Sequence, residues 1–183
     1  MITTRDQNIL NFLEEFHVAT SSQIHRLYFA ETITRNSRSR LQKLTEQGFV
    51  KRTRSTINND FAYYLERKSL LQQLHHDLIR AELYATMKQI YEILEWHNEF
   101  TIDHIRPDAL TYIRNKGVVY PVLVEVHLSN QFDFDKYKMD FLPVFGVRPI
   151  VIICTDRPLK LPQIGVKFKI VGLDMSGLDT LFR

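Results

Sequence analysis

The chain has 183 residues, of which 44% are hydrophobic and 25% charged, an ordinary balance for a water-soluble globular protein of one domain or two small ones. No apolar run reaches the length of a membrane span, and the opening MITTRDQNILNFLEEF carries acids inside its apolar pattern and no small-residue cleavage site, so neither a transmembrane helix nor a signal peptide is expected. Cys154 is the single cysteine and lies in the apolar run IVIIC, which excludes disulfide stapling within the chain and points to a buried thiol and a cytoplasmic location.

The net charge of +3 is unevenly spread: residues 1–68 hold eleven Lys/Arg against seven Asp/Glu, and residues 69–183 thirteen against fourteen. Between positions 33 and 54 stand Arg35, Arg38, Arg40, Lys43, Lys51, Arg52 and Arg54, with Glu46 the one acid. A basic stripe of this kind is the footprint of a polyanion-binding surface.

In chain order, Thr3 or Thr4 can cap a helix with Ile9, Leu10, Leu13 and Phe16 at helical spacing. Thr20 or Ser21 can cap a second, with Ile24, Leu27 and Tyr28 on one face. A third helix, about 34–47, turns Leu41 and Leu44 inward and closes at Gly48. FVKRTRSTINNDFAYYLERK then alternates around a polar tip, Asn58-Asn59-Asp60, as a β-hairpin does. Three short helices and a hairpin describe a winged helix-turn-helix over residues 1–68, and SRLQKLTEQGFVKR resembles the recognition-helix-to-wing junction of bacterial winged-helix regulators. In such a fold the third helix enters the major groove, making Arg35, Asn36, Arg38, Ser39, Gln42 and Lys43 the expected contacts to bases and phosphates of double-stranded DNA. Arg52 and Arg54 on the wing would meet phosphates, and a homodimer reading two half-sites is expected.

From Leu70 to Trp96 the spacing of Leu71, Leu74, Leu78, Met87, Ile90 and Leu94 predicts one long amphipathic helix. His75 and His76 read equally as capping, surface or functional residues, and Glu82 reads as a solvated helix residue. FTIDHI, DALTYIR and VLVEVHL read as strands, the last two joined at Asn115-Lys116-Gly117. FDFDKYKMDFLPVF reads as a crossover helix, PIVIICT as a buried parallel strand and KFKIVGL as a last strand. Residues 69–183 thus form an α/β domain with a mixed sheet, and the fold class is α+β. If the hairpin folds about Lys116, Asp108 faces Val124, and a register adjustment or a bulge near Pro121 brings it beside Glu125. Alternation places Leu123, Glu125 and His127 on one face of the strand.

Pro107-Asp108, the hairpin and Glu125-x-His127 within this element order resemble the PD-(D/E)xK nuclease fold. That resemblance implies Asp108 and Glu125 as Mg²⁺ ligands, with His127 standing where the family's water-activating lysine belongs; Lys136 or Lys138 could supply that lysine by migration. The whole chain resembles the replication-relaxation family of plasmid, phage and conjugative-element proteins, through SRLQKLTEQGFVKR, HHDLIRAELY, RPDALTYI, VLVEVHLS and the segment containing DKYK. The resemblance implies a DNA-binding accessory or regulatory protein of a mobile genetic element, acting in plasmid replication, conjugative transfer or its transcriptional control, beside replication or relaxase machinery. DNA binding would need no cofactor. An active Mg²⁺-dependent endonuclease, with Asp108, Glu125 and His127 catalytic, is the second reading, and the missing lysine ranks it below binding. A plain repressor is a third. Relaxase chemistry itself is not indicated, since His75 and His76 are adjacent on a helix.

Overall fold

The computed structural model describes residues 1–65, 70–129 and 131–182, and of residues 70–72 the backbone. The architecture is α+β and divides into two compact units, Met1–Ala85 and Thr86–Arg183. The boundary expected between residues 68 and 69 lies outside the described residues.

In the first unit, helix α1 (Thr4–Phe16) is started by a capping box in which Thr3 and Asp6 satisfy each other's backbone N–H groups. Thr20 and Gln23 repeat the device at α2 (Ser21–Tyr28). Helix α3 (Thr34–Glu46) buries Ser37, Leu41 and Leu44, and Gly48 follows it with φ +78°, a conformation that favours glycine. The hairpin is β2 (Lys51–Arg54) and β3 (Phe61–Tyr64). A two-residue strand with no sequence signal, β1 (Ala19–Thr20), pairs with β3, which becomes the centre of an antiparallel sheet ordered β1-β3-β2.

Helix α4 (Leu70–Ile90) supplies Leu74 and Leu78 to a core with Val18, Ala62 and Tyr64. Gln23 Nε2 donates to the Leu78 carbonyl at 3.0 Å and to Glu82 Oε2 at 2.9 Å, and Arg26 Nη2 donates to Glu82 Oε1 at 2.6 Å. Glu82 is therefore a structural acceptor rather than a solvated residue. Arg80, 1% exposed, rests on buried Asp77, with Nη2 3.1 Å from Oδ1. His17 and His76 bring ring nitrogens to within 3.5 and 3.6 Å of the same carboxylate.

The second unit is a five-stranded sheet, β4-β5-β6-β7-β8, antiparallel from β4 to β6 and parallel from β6 to β8. The expected helix to Trp96 stops at Ile90, and Glu92–Asn98 is edge strand β4. Leu94 fits helical spacing, yet it is 39% exposed, and pairing with β5 (Ala109–Asn115) decides the backbone. FTIDHI is not a strand: it holds one bridge, Ile102 to Ile105, and turns both isoleucines into the core. The expected crossover helix is likewise absent. A 3-10 turn (Asp135–Tyr137) and one turn of α5 (Leu142–Phe145) stand in its place, where the Asp133 and Asp140 carboxylates accept the N–H groups two residues on and compete with a helical ladder. Strands β7 (Ile150–Cys154) and β8 (Lys167–Val171) fall where expected.

Strand β6 (Val118–Val126) pairs Ala109 with Val124 in an unbroken ladder through Pro121. The turn is the two-residue Lys116-Gly117, both at positive φ, the signature of a type I′ hairpin. The register is thus one residue from the simple count, which is the adjustment that brings Asp108 toward Glu125, and no bulge near Pro121 occurs. On the Leu123 face, Leu110, Val151, Ile153 and Phe168 pack with Tyr137 and Phe141 into one core.

Candidate nucleic-acid interface

With Ser37, Leu41 and Leu44 buried, α3 exposes Arg35, Asn36, Arg38, Ser39, Gln42 and Lys43. Ser37 faces inward, its Oγ donating to the Thr34 carbonyl at 2.8 Å and lying 3.1 Å from His25 Nδ1. Arg40 also turns away from this face. Its Nε donates to Asp6 Oδ1 at 2.8 Å and its Nη2 to the Met1 carbonyl at 3.1 Å. Asp6 is almost fully buried, and the Arg40 hydrogen bonds hold its carboxyl well below the usual carboxylate range against the opposing effect of burial. One of the seven basic residues is therefore committed to the fold.

The hairpin adds Arg52 and Arg54, whose guanidinium carbons stand 4.5 and 4.7 Å over the Phe61 ring. Both arginines of β2 thus stack on one aromatic ring. Asp60, at the hairpin tip, accepts hydrogen bonds from the Ser22 backbone N–H at 3.2 Å and from the Ser22 hydroxyl, and its Oδ1 lies 3.4 Å from Arg38 Nη2. One carboxylate thereby ties the hairpin to the start of α2 and to α3. Arg38, Gln42, Arg52, Asn59 and Phe61 line a depression of about 280 Å³ between helix and hairpin. Arg35, Asn36, Ser39 and Lys43 lie outside it on the exposed α3 surface, and Arg54 lies beside it on β2. The sequence marks Asp60 as part of the hairpin tip without showing its partners and does not mark Phe61; the alternation that sets Phe61 opposite Arg54 is the signal that could have found the ring.

The second set of residues converges on Glu125, buried at the end of β6. Its Oε1 accepts from Lys136 Nζ at 2.6 Å and from the buried Tyr137 hydroxyl. Burial raises its pKa above the ordinary carboxylate range, Lys136 and Tyr137 pull it down, and nearby Asp108 adds to the rise. Asp108 Oδ2 accepts the Val126 backbone N–H at 2.7 Å. Of the two migrating lysines, Lys136 is the one that reaches Glu125, while Lys138 pairs at the surface with Asp135 at 2.9 Å. His127 packs edge-on against Phe132 with ring centroids 5.0 Å apart, and burial, then the charges of Lys136 and Arg157, lower its pKa. Tyr137 escaped the sequence reading, though its place in the series Phe134, Tyr137, Phe141 marks an inward position.

Mg²⁺ requires six oxygens in near-octahedral order and favours carboxylates free to face it. Here Asp108 is bonded to backbone and Glu125 to a cation and a phenol. Among the described residues, no group of three or more His, Cys, Asp or Glu side chains is placed to hold a metal ion. As arranged, both carboxylates are engaged by donors of the protein itself. Lys136→Met should lower stability by about 2 kcal/mol, because it leaves a buried carboxylate without its cation. The raised pKa of Glu125 sets the pH dependence: the deficit is present at pH 7, where the group is driven to ionise, and shrinks as pH falls through the carboxylate range. Thermal melts of both proteins at pH 7 and pH 5 check this; equal melting temperatures at pH 7 would contradict it.

The fold and these sites define an α+β protein with one exposed basic face on a helix-and-hairpin unit and one closed acid–lysine–tyrosine cluster on a mixed sheet. The replication-relaxation family model matches residues 10–82 of the chain. The match runs from α1 into α4 and ends before the five-stranded sheet, so RPDALTYI and VLVEVHLS lie outside it. No curated protein and no solved structure matches the chain. No helix among the described residues is long and apolar enough to cross a membrane.

Proposed function

We propose that this protein binds double-stranded DNA through the exposed face of α3 and the arginines of β2, as an accessory or regulatory factor in the replication or transfer of a mobile genetic element. The observation that carries the reading is the exposed row Arg35, Asn36, Arg38, Ser39, Gln42 and Lys43, facing away from Leu41 and Leu44 and flanked by Arg52 and Arg54. In this reading the first unit is a winged helix-turn-helix with α3 as recognition helix and β2–β3 as wing. Arginine reads guanine bidentately and Asn or Gln reads adenine, so α3 supplies the base contacts. Arg52 and Arg54 supply phosphate contacts that fix position without reading sequence. The family match over residues 10–82 supports the link to replication. Fluorescence anisotropy of the full chain with labelled duplexes tests the reading, and binding that ignores Arg35→Ala and Arg38→Ala would overturn it.

The same proposal makes the second unit non-catalytic. One observation favours an endonuclease: Lys136 donates to Glu125, the acid beside which PD-(D/E)xK nucleases carry a lysine. Incubation of supercoiled plasmid with the full chain and Mg²⁺ or Mn²⁺, beside Asp108→Ala, separates the two. No nicking is expected from either protein. Nicking that disappears in the variant would make the second unit a nuclease.

A further inference from the structure

We propose that the second unit carries a mononucleotide-binding site, recognising a nucleobase and its phosphate, at the edge where β6, β7 and β8 enter the sheet. The ladder builds the place. Val122 pairs with Ile150 and Ile150 with Lys167, so the three parallel strands are level. Two residues earlier, Tyr120, Arg148 and Gly165 stand at the same edge. A cavity of about 420 Å³ opens there, lined among others by Tyr120, Arg148, Gly165, Lys167 and Phe182, with no acid among the described residues of its wall.

Two features give the cavity its chemistry. Arg148 and Lys167 are exposed, and among the described residues neither side chain has an ion pair or a hydrogen bond. Two cations on one concave wall without an acid repel each other, and an anion seated between them relieves that repulsion. The second feature is aromatic. Phe182 lies 4.9 Å from the Tyr120 ring and meets Tyr91 edge-on at 5.3 Å, while the Tyr91 hydroxyl is fixed on the Leu178 carbonyl at 2.7 Å. Tyr120 and Phe182 are half-buried, so the pair is held in place with surface left at the cavity. An aromatic platform stacks any base, and the adjacent Arg and Lys take the phosphate. The volume is that of a small-ligand site. A nucleoside monophosphate satisfies both halves at once, whether as a free nucleotide or as the phosphorylated end of a DNA strand.

Gly165 provides a clean blocking position. A Cβ there would meet nothing within 4 Å, and its backbone is not in the left-handed region, so Gly165→Phe can fill the cavity without disturbing the fold. Calorimetric titration of the full chain with dAMP, deoxyadenosine and inorganic phosphate tests the site. The expected result is dAMP binding at least about tenfold tighter than either half alone, weakened about tenfold or more by Arg148→Gln or Lys167→Gln and removed by Gly165→Phe. Circular dichroism melts of the variants control for folding, and Arg35→Ala should leave dAMP binding unchanged. Absence of binding at about 1 mM dAMP would overturn the proposal. So would phosphate binding as tightly as dAMP, or affinities indifferent to the three variants. Competition by a short duplex carrying a 5′-phosphate, but not by its unphosphorylated twin, in the Arg35→Ala background would identify a strand end as the source; failure of both to compete would identify the free nucleotide.

Discussion

Replacing Asp77 by leucine should destabilise the first unit by about 3–5 kcal/mol, because it strips a buried arginine of its anion. Arg80 is 1% exposed and its Nη2 lies 3.1 Å from Asp77 Oδ1 as an ion pair, and neither its Nε nor its Nη2 donates a hydrogen bond among the described residues. Removing one member of such a pair leaves the full desolvation penalty of the other, whereas removing both is often close to neutral. The double substitution Asp77→Leu with Arg80→Met should therefore recover most of the loss, a result that additive effects cannot produce. The pH dependence has a definite sign. Burial pushes the Asp77 carboxyl up, but the His17 and His76 contacts and the Arg80 charge bring it down to about 2. A depressed carboxylate contributes stability that is present above its ordinary value and lost as pH falls through the lowered one. About 2 kcal/mol should disappear between roughly pH 4 and pH 2 in the natural protein and not in Asp77→Leu. Urea titrations of both proteins across that window measure the difference.

The second large effect concerns DNA. Arg35→Ala combined with Arg38→Ala should weaken binding to a preferred duplex by about 10²-fold or more and flatten the preference among sequences, since each bidentate base contact contributes about 1–3 kcal/mol of discrimination. Arg52→Ala combined with Arg54→Ala should weaken all duplexes alike. Arg40→Ala is the control these comparisons need. It removes the same charge from the same helix, yet Arg40 is paired with buried Asp6 rather than exposed on the α3 face. Its expected effect is a lower melting temperature, from an unpaired buried Asp6, with affinity unchanged for the protein that remains folded. If Arg40→Ala weakened binding as much as Arg35→Ala, net charge rather than the α3 face would govern the interaction.

Local chemistry made most of the first unit legible. Thr3 with Asp6 and Thr20 with Gln23 mark two helix starts, Leu41 and Leu44 give the buried side of α3, and Gly48 its end. The inward turn of Arg40 was not legible, because its partner lies thirty-four residues away. The strand β1 is too short to carry a pattern and exists by pairing with β3. In the second unit, buried strands such as Ile150–Cys154 announced themselves through continuous apolar runs. Leu94 fitted the helix stripe as well as a strand, and only the β5 partner broke the tie. Phe134, Tyr137 and Phe141 carry helical spacing, but the neighbouring aspartates bond their own backbone and leave short turns that still direct all three rings toward the core. For the acids, alternation and hairpin counting brought Asp108 to within one residue of Glu125. What neither could supply was the closing of Glu125 by Lys136 and Tyr137 from eleven and twelve residues on.

In the proposed binding mode, phosphates and bases of duplex DNA meet α3 and β2 of the first unit. The most direct test is the affinity of the full chain for one duplex measured across a salt series, for the natural protein and for Arg52→Ala with Arg54→Ala. A steep linear fall of log affinity with log salt is predicted, with the slope reduced by about 2 in the variant as two phosphate contacts are lost. Affinity independent of salt, or slopes that coincide in the two proteins, would contradict it.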